Sequence, residues 1–476
     1  MSRLPLHQDL TANPGWFTLS ASGPGSVGRG VIIGVSAMAA CLITWAALEQ
    51  PKAVSAMAVM GVIGVAAWLR PALMLCSVFA LAPFQNDLSL GGPLRFSIAE
   101  LNLALITSIL LMRSLTNRQP IGLGPLAWPV AAYCVAAVIS LLLSGMSRSG
   151  IVSIMQVVLY LCVAVSVFGA VATSPRIVLF VLKALIGVTL ILAIAVLVTR
   201  SNYVMGLHKN GIGASLASGF VVALALHITH QTRRRWLWVA IMATLGLGLL
   251  ITLSRGAWMA TILSSLVLLA WLGRWGYMLR LGLGLLVIGF IASLILPEQA
   301  LDYATDFNSK LTNIRARIDS ASFAWGEFQK APIFGVGLGL RKDYDATNLL
   351  LLTLGETGLV GLIGLVWLVA GSLWLAYRLK DRVAPGTVKH RDLPKMIGAL
   401  AAALLIGRLC HGMVDHFWTR GPTLLVWATI GMALGMWRAS VPRKDPAAAS
   451  THPPTGRPVV TLPAHPRISG DRGLSQ

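Results

Sequence analysis

The chain has 476 residues, of which 56% are hydrophobic and only 12% are charged, and it carries a net charge of +21. This is too apolar for an ordinary soluble domain and predicts an integral membrane protein. The basic excess lies in short segments between apolar runs, not in a continuous phosphate-tracking stripe, so it argues against a nucleic-acid surface and for anionic lipid as the counterpart.

In chain order, residues 1–30 are polar and Gly-rich and read as a cytoplasmic segment without a cleavable signal, the first span serving as a signal anchor. Apolar runs then follow at 31–49, 53–69, 71–84, 97–112, 124–144, 151–172, 177–198, 211–230, 236–253, 256–273 and 279–296. A long connection over 297–348 is followed by runs at 349–377, 396–414 and 418–437, and the Pro-rich tail within 438–476 is expected to be disordered. The predicted fold is therefore all-α. It is a polytopic membrane helix bundle of about 14 (12–14) transmembrane helices, since a crossing needs about 20 apolar residues. The predicted divisions are 1–30, 31–296, 297–348, 349–437 and 438–476. The run at 71–84 is short enough to be re-entrant.

Positive residues are retained on the cytoplasmic side during insertion. An N-terminus inside puts Arg70, Arg113, Arg118, Arg176, Arg233, Arg234, Arg235, Arg274 and Arg280 inside, with the strongly basic connection 378–395. The 297–348 loop is then outside, and it is nearly balanced, with six basic and seven acidic residues. The cysteines Cys41, Cys76, Cys134, Cys162 and Cys410 all fall within apolar runs without close spacing in sequence, and read as small apolar fillers.

Charged groups at membrane depth are costly and mark candidate functional sites. Four clusters gather at the expected outer ends of spans. In "LITLSRGAWMA", Ser254 stands ready to cap a helix, and Arg255 falls in the first turn, where exposed backbone N–H groups and a guanidinium suit an anion. Snorkelling of Arg255 to lipid phosphates is the plainer alternative. In the long loop, Ile314, Ile318, Ala321, Trp325 and Phe328 form one helical stripe ended by Pro332 and "FGVGLG", with Arg317 flanking it. In "RSNYVMGLHKNGIGASLASG", His208, Lys209 and Asn210 precede a Gly/Ser-rich helix start suited to close packing or ligand approach. In "GRLCHGMVDHFWTRGP", Arg408, His411 and Asp415 share one helix face, followed by His416 and Arg420. A cation, an imidazole and a carboxylate on one face form either a structural ion network or an acid/base site.

No histidine pair or carboxylate cluster of metal-ligand spacing stands out apart from Asp343 and Asp345, and no nucleotide-binding glycine loop is present. No cofactor is therefore expected, and an external enzyme would need a substrate that carries its own activated bond.

Taken in order, "HKNGIGA", "SRGAW" opening a span, Arg317 fifteen residues before "PIFGVGLG", and "TN" followed by nine residues and "GLVG" resemble the O-antigen ligase and bacterial polysaccharide polymerase superfamily. The resemblance covers residues 200–437 and implies a metal-independent, inverting glycosyl transfer on the outer face of the bacterial inner membrane. The donor would be a glycan on undecaprenyl diphosphate and the acceptor a sugar hydroxyl, with membrane lipids, a chain-length regulator and other assembly proteins as partners. Arg255 and Arg317 match the family's essential arginines. Asn348 to Gly361 keep the family pattern, but Thr347 stands where ligases of the family have a histidine proposed to assist the acceptor. A threonine hydroxyl is no base near neutral pH. The expected substitutes are Asp415, His411, Glu356 and Asp345, in that order, and the departure favours a polymerase over a ligase. A lipid-linked oligosaccharide flippase is the alternative from another class, and a non-catalytic assembly partner is a third reading.

Overall fold

The apolar runs form helices. The computed structural model describes residues 61–62, 70–84, 87–89, 95–117, 121–201, 203–204, 207–229, 235–295, 308–340, 348–384, 390–415 and 421–442. The chain divides into two compact units, Met1–Ala66 and Ala67–Gln476, and the elements named here belong to the second.

These elements are α1 (Pro71–Leu81), a short hairpin of β1 (Asp87–Ser89) and β2 (Arg95–Ser97), α2 (Ile98–Asn117), α3 (Ala127–Leu143) and α4 (Arg148–Val171). They continue with α5 (Pro175–Thr199), α6 (Lys209–Thr229), α7 (Arg235–Ile251), α8 (Arg255–Leu272) and α9 (Gly276–Ile295). The last are α10 (Asn308–Lys330), α11 (Leu349–Arg378), β3 (Arg382–Val383), α12 (Leu393–Gly412), α13 (Pro422–Ala439) and β4 (Val441–Pro442). Each expected span from 71–84 onward has its helix, and among the described residues seven helices are long and apolar enough to cross a membrane: α3 with its preceding turn, α4, α5, α6, α8, α11 and α12. The expected span at 31–49, that at 53–69 apart from 61–62, and the tail beyond 442 lie outside the described residues.

Of these seven, α6 is the most enclosed, with every residue from Gly211 to Leu226 buried. It packs against α5, α7, α8 and α12, and the most extensive helix pair is α8 with α12. That closeness follows from small residues. A Cβ on Gly407 would collide with the Ser264 hydroxyl, and one on Gly213 would lie 2.9 Å from the Ala257 Cβ and 3.0 Å from that of Ser254.

α11 is not one continuous helix. Gly358 has φ +65° and ψ −162°, which breaks the helix in the middle of its membrane-length run. The turn after α10 enters this break. Val336 N–H donates to Gly355 O and Gly337 N–H to Glu356 O, while Leu359 and Val360 N–H groups donate to Pro332 O and Ile333 O. Backbone groups freed by the kink are thus paired with protein, as non-helical backbone in a membrane protein must be. Gly335, Gly337 and Gly339 all have positive φ, and a Cβ on Gly335 would strike the Glu356 main chain.

The apolar stripe of α10 does not face protein. Ser320 and Ala324 are buried, while Ile318 and Trp325 are 57% and 46% exposed. Small residues let α10 lie against α11, where Ala324 O is 3.1 Å from the place of a Gly355 Cβ. The cysteines are also not all unrelated: Cys134 on α3 and Cys162 on α4 bring their Sγ atoms to 3.9 Å. Cys162 lies in a π-helical stretch of α4, Val158–Ala164.

At one end of the bundle basic and aromatic side chains meet. Arg280, Arg378, Lys380 and Arg382 lie 5.1–5.9 Å from the ring centroids of Tyr277, Trp374, Tyr377 and Trp437. Arg438 donates to Gly122 O (2.7 Å) and Gly169 O (3.4 Å). Such a belt is the pattern of a membrane interface.

Candidate functional site

The site lies where connections of the bundle meet: the α5–α6 link, the α7–α8 turn, the α12 C-terminus and the start of α11. The α7–α8 turn is very tight and holds Leu253 at φ +53°, a left-handed conformation that costs a branched side chain energy. Ser254 occupies the N-cap position of α8 but makes no side-chain capping bond, contrary to expectation. Its hydroxyl instead lies 3.2 Å from Asn210 Oδ1 at the start of α6 and donates to it. The main-chain N–H of Asn210 in turn approaches His208 Nδ1 at 3.4 Å. The "HKNGIGA" and "SRGAW" segments are therefore one joint, closed by the Gly213 contact and pinned by a hydrogen bond. Lys209 is half-buried at the same helix start.

Gly256 brings the second joint. A Cβ there would lie 2.6 Å from His411 Cδ2 and 3.0 Å from His411 Nε2, so only glycine at this point of α8 leaves room for the imidazole. His411 belongs to the expected row on α12. Arg408 Nη1 is 3.1 Å from His411 Nδ1, and His411 Nε2 is 3.4 Å from Asp415 Oδ2. Arg408 and His411 are buried, 5% and 2% exposed, while the Asp415 side chain is 17% exposed. A guanidinium this deep in an apolar bundle requires partners, and the row supplies them. Beside Arg408 and His411 is a cavity of ≈ 20 Å³, lined also by Ser218, Ser264 and Gly407, with room for one water.

The two arginines singled out by the sequence are both exposed. Arg255 opens α8 next to Gly256. Arg317 lies on α10, close enough for its charge to act on His411 together with those of Arg408 and Asp415. Asn348 connects the remaining element. Its Oδ1 accepts from Leu350 N–H (3.0 Å) and Leu351 N–H (3.2 Å), capping α11, and its Nδ2 donates to Met413 O at 3.4 Å, two residues before Asp415. Asn348 was expected to bind substrate; its amide is engaged in capping α11 and joining it to the end of α12.

Glu356, expected as a candidate base, has a structural assignment. It is 6% exposed, its Oε1 accepts from Gly339 N–H at 2.9 Å, and its carbonyl accepts from Ser140 Oγ and Gly337 N–H. It fastens the 335–339 turn and α3 to the broken helix. Thr347, Asp345, His416 and Arg420 lie outside the described residues.

Sequence reading did not identify Gly256, whose contribution is the space it leaves, or the polar joint around Glu100. That carboxylate is 2% exposed and accepts from the Tyr160 hydroxyl at 2.8 Å and from Gln156 Nε2 at 3.3 Å, linking α2 to α4. Its signal was present: a single acid in the apolar stretch "SIAELNLALI".

Among the described residues, no three His, Cys, Asp or Glu side chains gather as a metal-binding group. Residues 240–366 match a family model described as Wzy_C, O-antigen ligase. No curated protein matches the chain.

Proposed function

On the match of residues 240–366 to the O-antigen ligase family model, we propose that the chain is a polymerase joining polyprenyl-diphosphate-linked glycan repeat units at the outer face of the bacterial inner membrane. The protein is a multi-pass membrane protein of ligase or polymerase type. The observation that carries the finer reading is the meeting of two exposed guanidiniums, Arg255 and Arg317, with the Arg408–His411–Asp415 row at one end of the bundle.

The chemistry needs these parts. In an inverting transfer the acceptor oxygen attacks the anomeric carbon as its bond to the diphosphate breaks, and the electron pair leaves with the phosphate oxygen. Fixed guanidiniums stabilise that growing negative charge, and bidentate pairing suits diphosphate oxygens. Arg255 and Arg317 take this role, aided by the uncapped N-terminus of α8, and His208 and Lys209 lie on the helix start that Ser254 ties to it. The acceptor proton goes to a carboxylate, as it does with the general base of inverting glycosidases. Asp415, the most exposed member of its row, is that carboxylate. This assignment supplies what Thr347, in place of histidine, does not. The departure at Thr347 from the ligases' histidine favours repeat-unit polymerisation over ligation to a lipid acceptor.

The test is direct. Purified protein in lipid nanodiscs is incubated with undecaprenyl-diphosphate-linked repeat units, with EDTA and without nucleotide. Longer glycan and released undecaprenyl diphosphate are expected. Transfer only to a lipid A-core acceptor would turn the reading to a ligase, and lipid translocation in vesicles without any transfer would turn it to a flippase.

A further inference from the structure

The hydrogen-bond chemistry of the α12 row determines more than its membership. A guanidinium has only donors, so the 3.1 Å contact between Arg408 Nη1 and His411 Nδ1 makes Nδ1 the acceptor. The ring proton of neutral His411 is then on Nε2, directed at Asp415 Oδ2, 3.4 Å away. Packing keeps the ring in that orientation: Gly256 abuts the Cδ2–Nε2 edge, and His411 is 2% exposed. The charged groups acting on the ring are Arg408, Asp415 and Arg317.

We propose that Arg408 and His411 are positioning residues for Asp415: Arg408 holds His411 as the Nε2–H tautomer, and that N–H fixes the carboxylate that receives the acceptor's proton. His411 gains and loses no proton in the cycle. The hydroxyl proton of the acceptor passes to Asp415 as the new C–O bond forms and the C–O bond to diphosphate breaks. Arg408 then acts through His411 and not on the diphosphate, which separates it from Arg255 and Arg317. The proposal rests on the transferase reading for its chemistry, but the tautomer can be tested without it.

The decisive variants exploit the amide group. A glutamine at 411 can accept from Arg408 through its oxygen and donate to Asp415 through its nitrogen, reproducing the tautomer while being unable to act as a base. His411→Gln is expected to keep transfer within ~10-fold of wild type, whereas His411→Ala falls ~100-fold. Arg408→Met is expected to lower kcat by ~10-fold or more with the donor KM unchanged, the signature of lost positioning and not of lost binding. Nitrogen NMR of ¹⁵N-histidine-labelled full-length protein, assigned with His411→Gln, reads the tautomer independently of turnover. A wild-type ring protonated on Nδ1 would overturn the proposal, as would His411→Gln being as inactive as His411→Ala, or Arg408→Met raising the donor KM at constant kcat. If wild-type protein transfers nothing, the transferase reading fails while the tautomer measurement still decides the row.

Discussion

Arg255 and Arg317 are both exposed, so neither is held in place by burial, and their separate loss should leave the bundle intact. Arg255→Ala and Arg317→Ala are each expected to reduce glycan transfer by ~100-fold or more while membrane expression persists, the scale of removing one electrostatic stabiliser of a transition state. The lysine variants should recover part of this, because a lysine supplies charge without the bidentate fork. Full activity in either alanine variant, measured as product per membrane-inserted protein, would remove that arginine from the site. Gly256 makes a sharper prediction. A methyl group there lies 2.6 Å from His411, so Gly256→Ala should move the imidazole and lower activity ~10-fold or more with little change in thermal midpoint. Equal activity in that variant would show that the ring's seat does not matter. These residues differ in how they could be found. Charges at membrane depth announce themselves in a sequence, and so do i, i+3, i+7 rows such as Arg408, His411 and Asp415. Glu356 carried the same signal and has a different role, because its partner is a main-chain N–H seventeen residues earlier in the chain. Nothing in a string of letters distinguishes a carboxylate that binds backbone from one that awaits a substrate.

Among the elements, the junction between broken α11 and the 332–339 turn is the most demanding piece of construction. Four main-chain hydrogen bonds cross it, together with one to the Glu356 carboxylate. Gly335→Ala and Gly358→Ala each force a Cβ onto opposing backbone at a positive-φ position, and either should cost about 1–3 kcal/mol or more. A lowered thermal midpoint in detergent and reduced membrane yield are the expected readouts; unchanged values would mean the junction is looser than its geometry. Gly361→Ala is a weaker test, since its Cβ would meet a side chain on its own helix, Thr357. A second element-scale prediction concerns α3 and α4. Cys134 and Cys162, 3.9 Å apart at sulfur, should crosslink when membranes are treated with copper phenanthroline, and a disulfide-linked peptide pair by mass spectrometry is the readout. No linked peptide, with both thiols accessible to a small alkylating reagent, would contradict this packing of the two helices. The helices themselves were plain in the sequence, because membrane-length apolar runs need no partner to be recognised. The face of α10 was not: apolar residues on a helix beside a membrane do not have to face protein, and Ile318 and Trp325 face away from it. Periodicity identifies an apolar side without saying what lies against it. The Cys134–Cys162 approach was hidden for a simpler reason, since the register between two helices is a tertiary fact.

At the scale of the molecule, the polar site and the basic–aromatic belt belong to different sets of connections. The site is made by the links at 200–208, 252–254 and 413–415 with the start of α11; the belt is made around 274–280, 374–382 and 437–442. Successive crossings reverse direction, so these two sets belong to opposite ends of the bundle. The belt-end connection 378–395, with six Lys and Arg against two Asp, then favours the belt end as cytoplasmic and the site as outward. This matters chemically, because an outward site has no access to nucleotide and must take its energy from the diphosphate bond of its donor. In a cysteine-free background, Met146→Cys in the exposed α3–α4 turn should be labelled in intact spheroplasts by a membrane-impermeant maleimide. Trp275→Cys, in the exposed α8–α9 turn, should be labelled only after the membrane is permeabilised. Both positions are surface turns, so a failure to react reflects the side of the membrane and not burial. The opposite pattern would place the Arg255–Asp415 site in the cytoplasm, where the acceptor chemistry proposed here would have to be reconsidered beside nucleotide-sugar donors. Labelling of both before permeabilisation would refute the alternation of crossings on which the outward assignment depends.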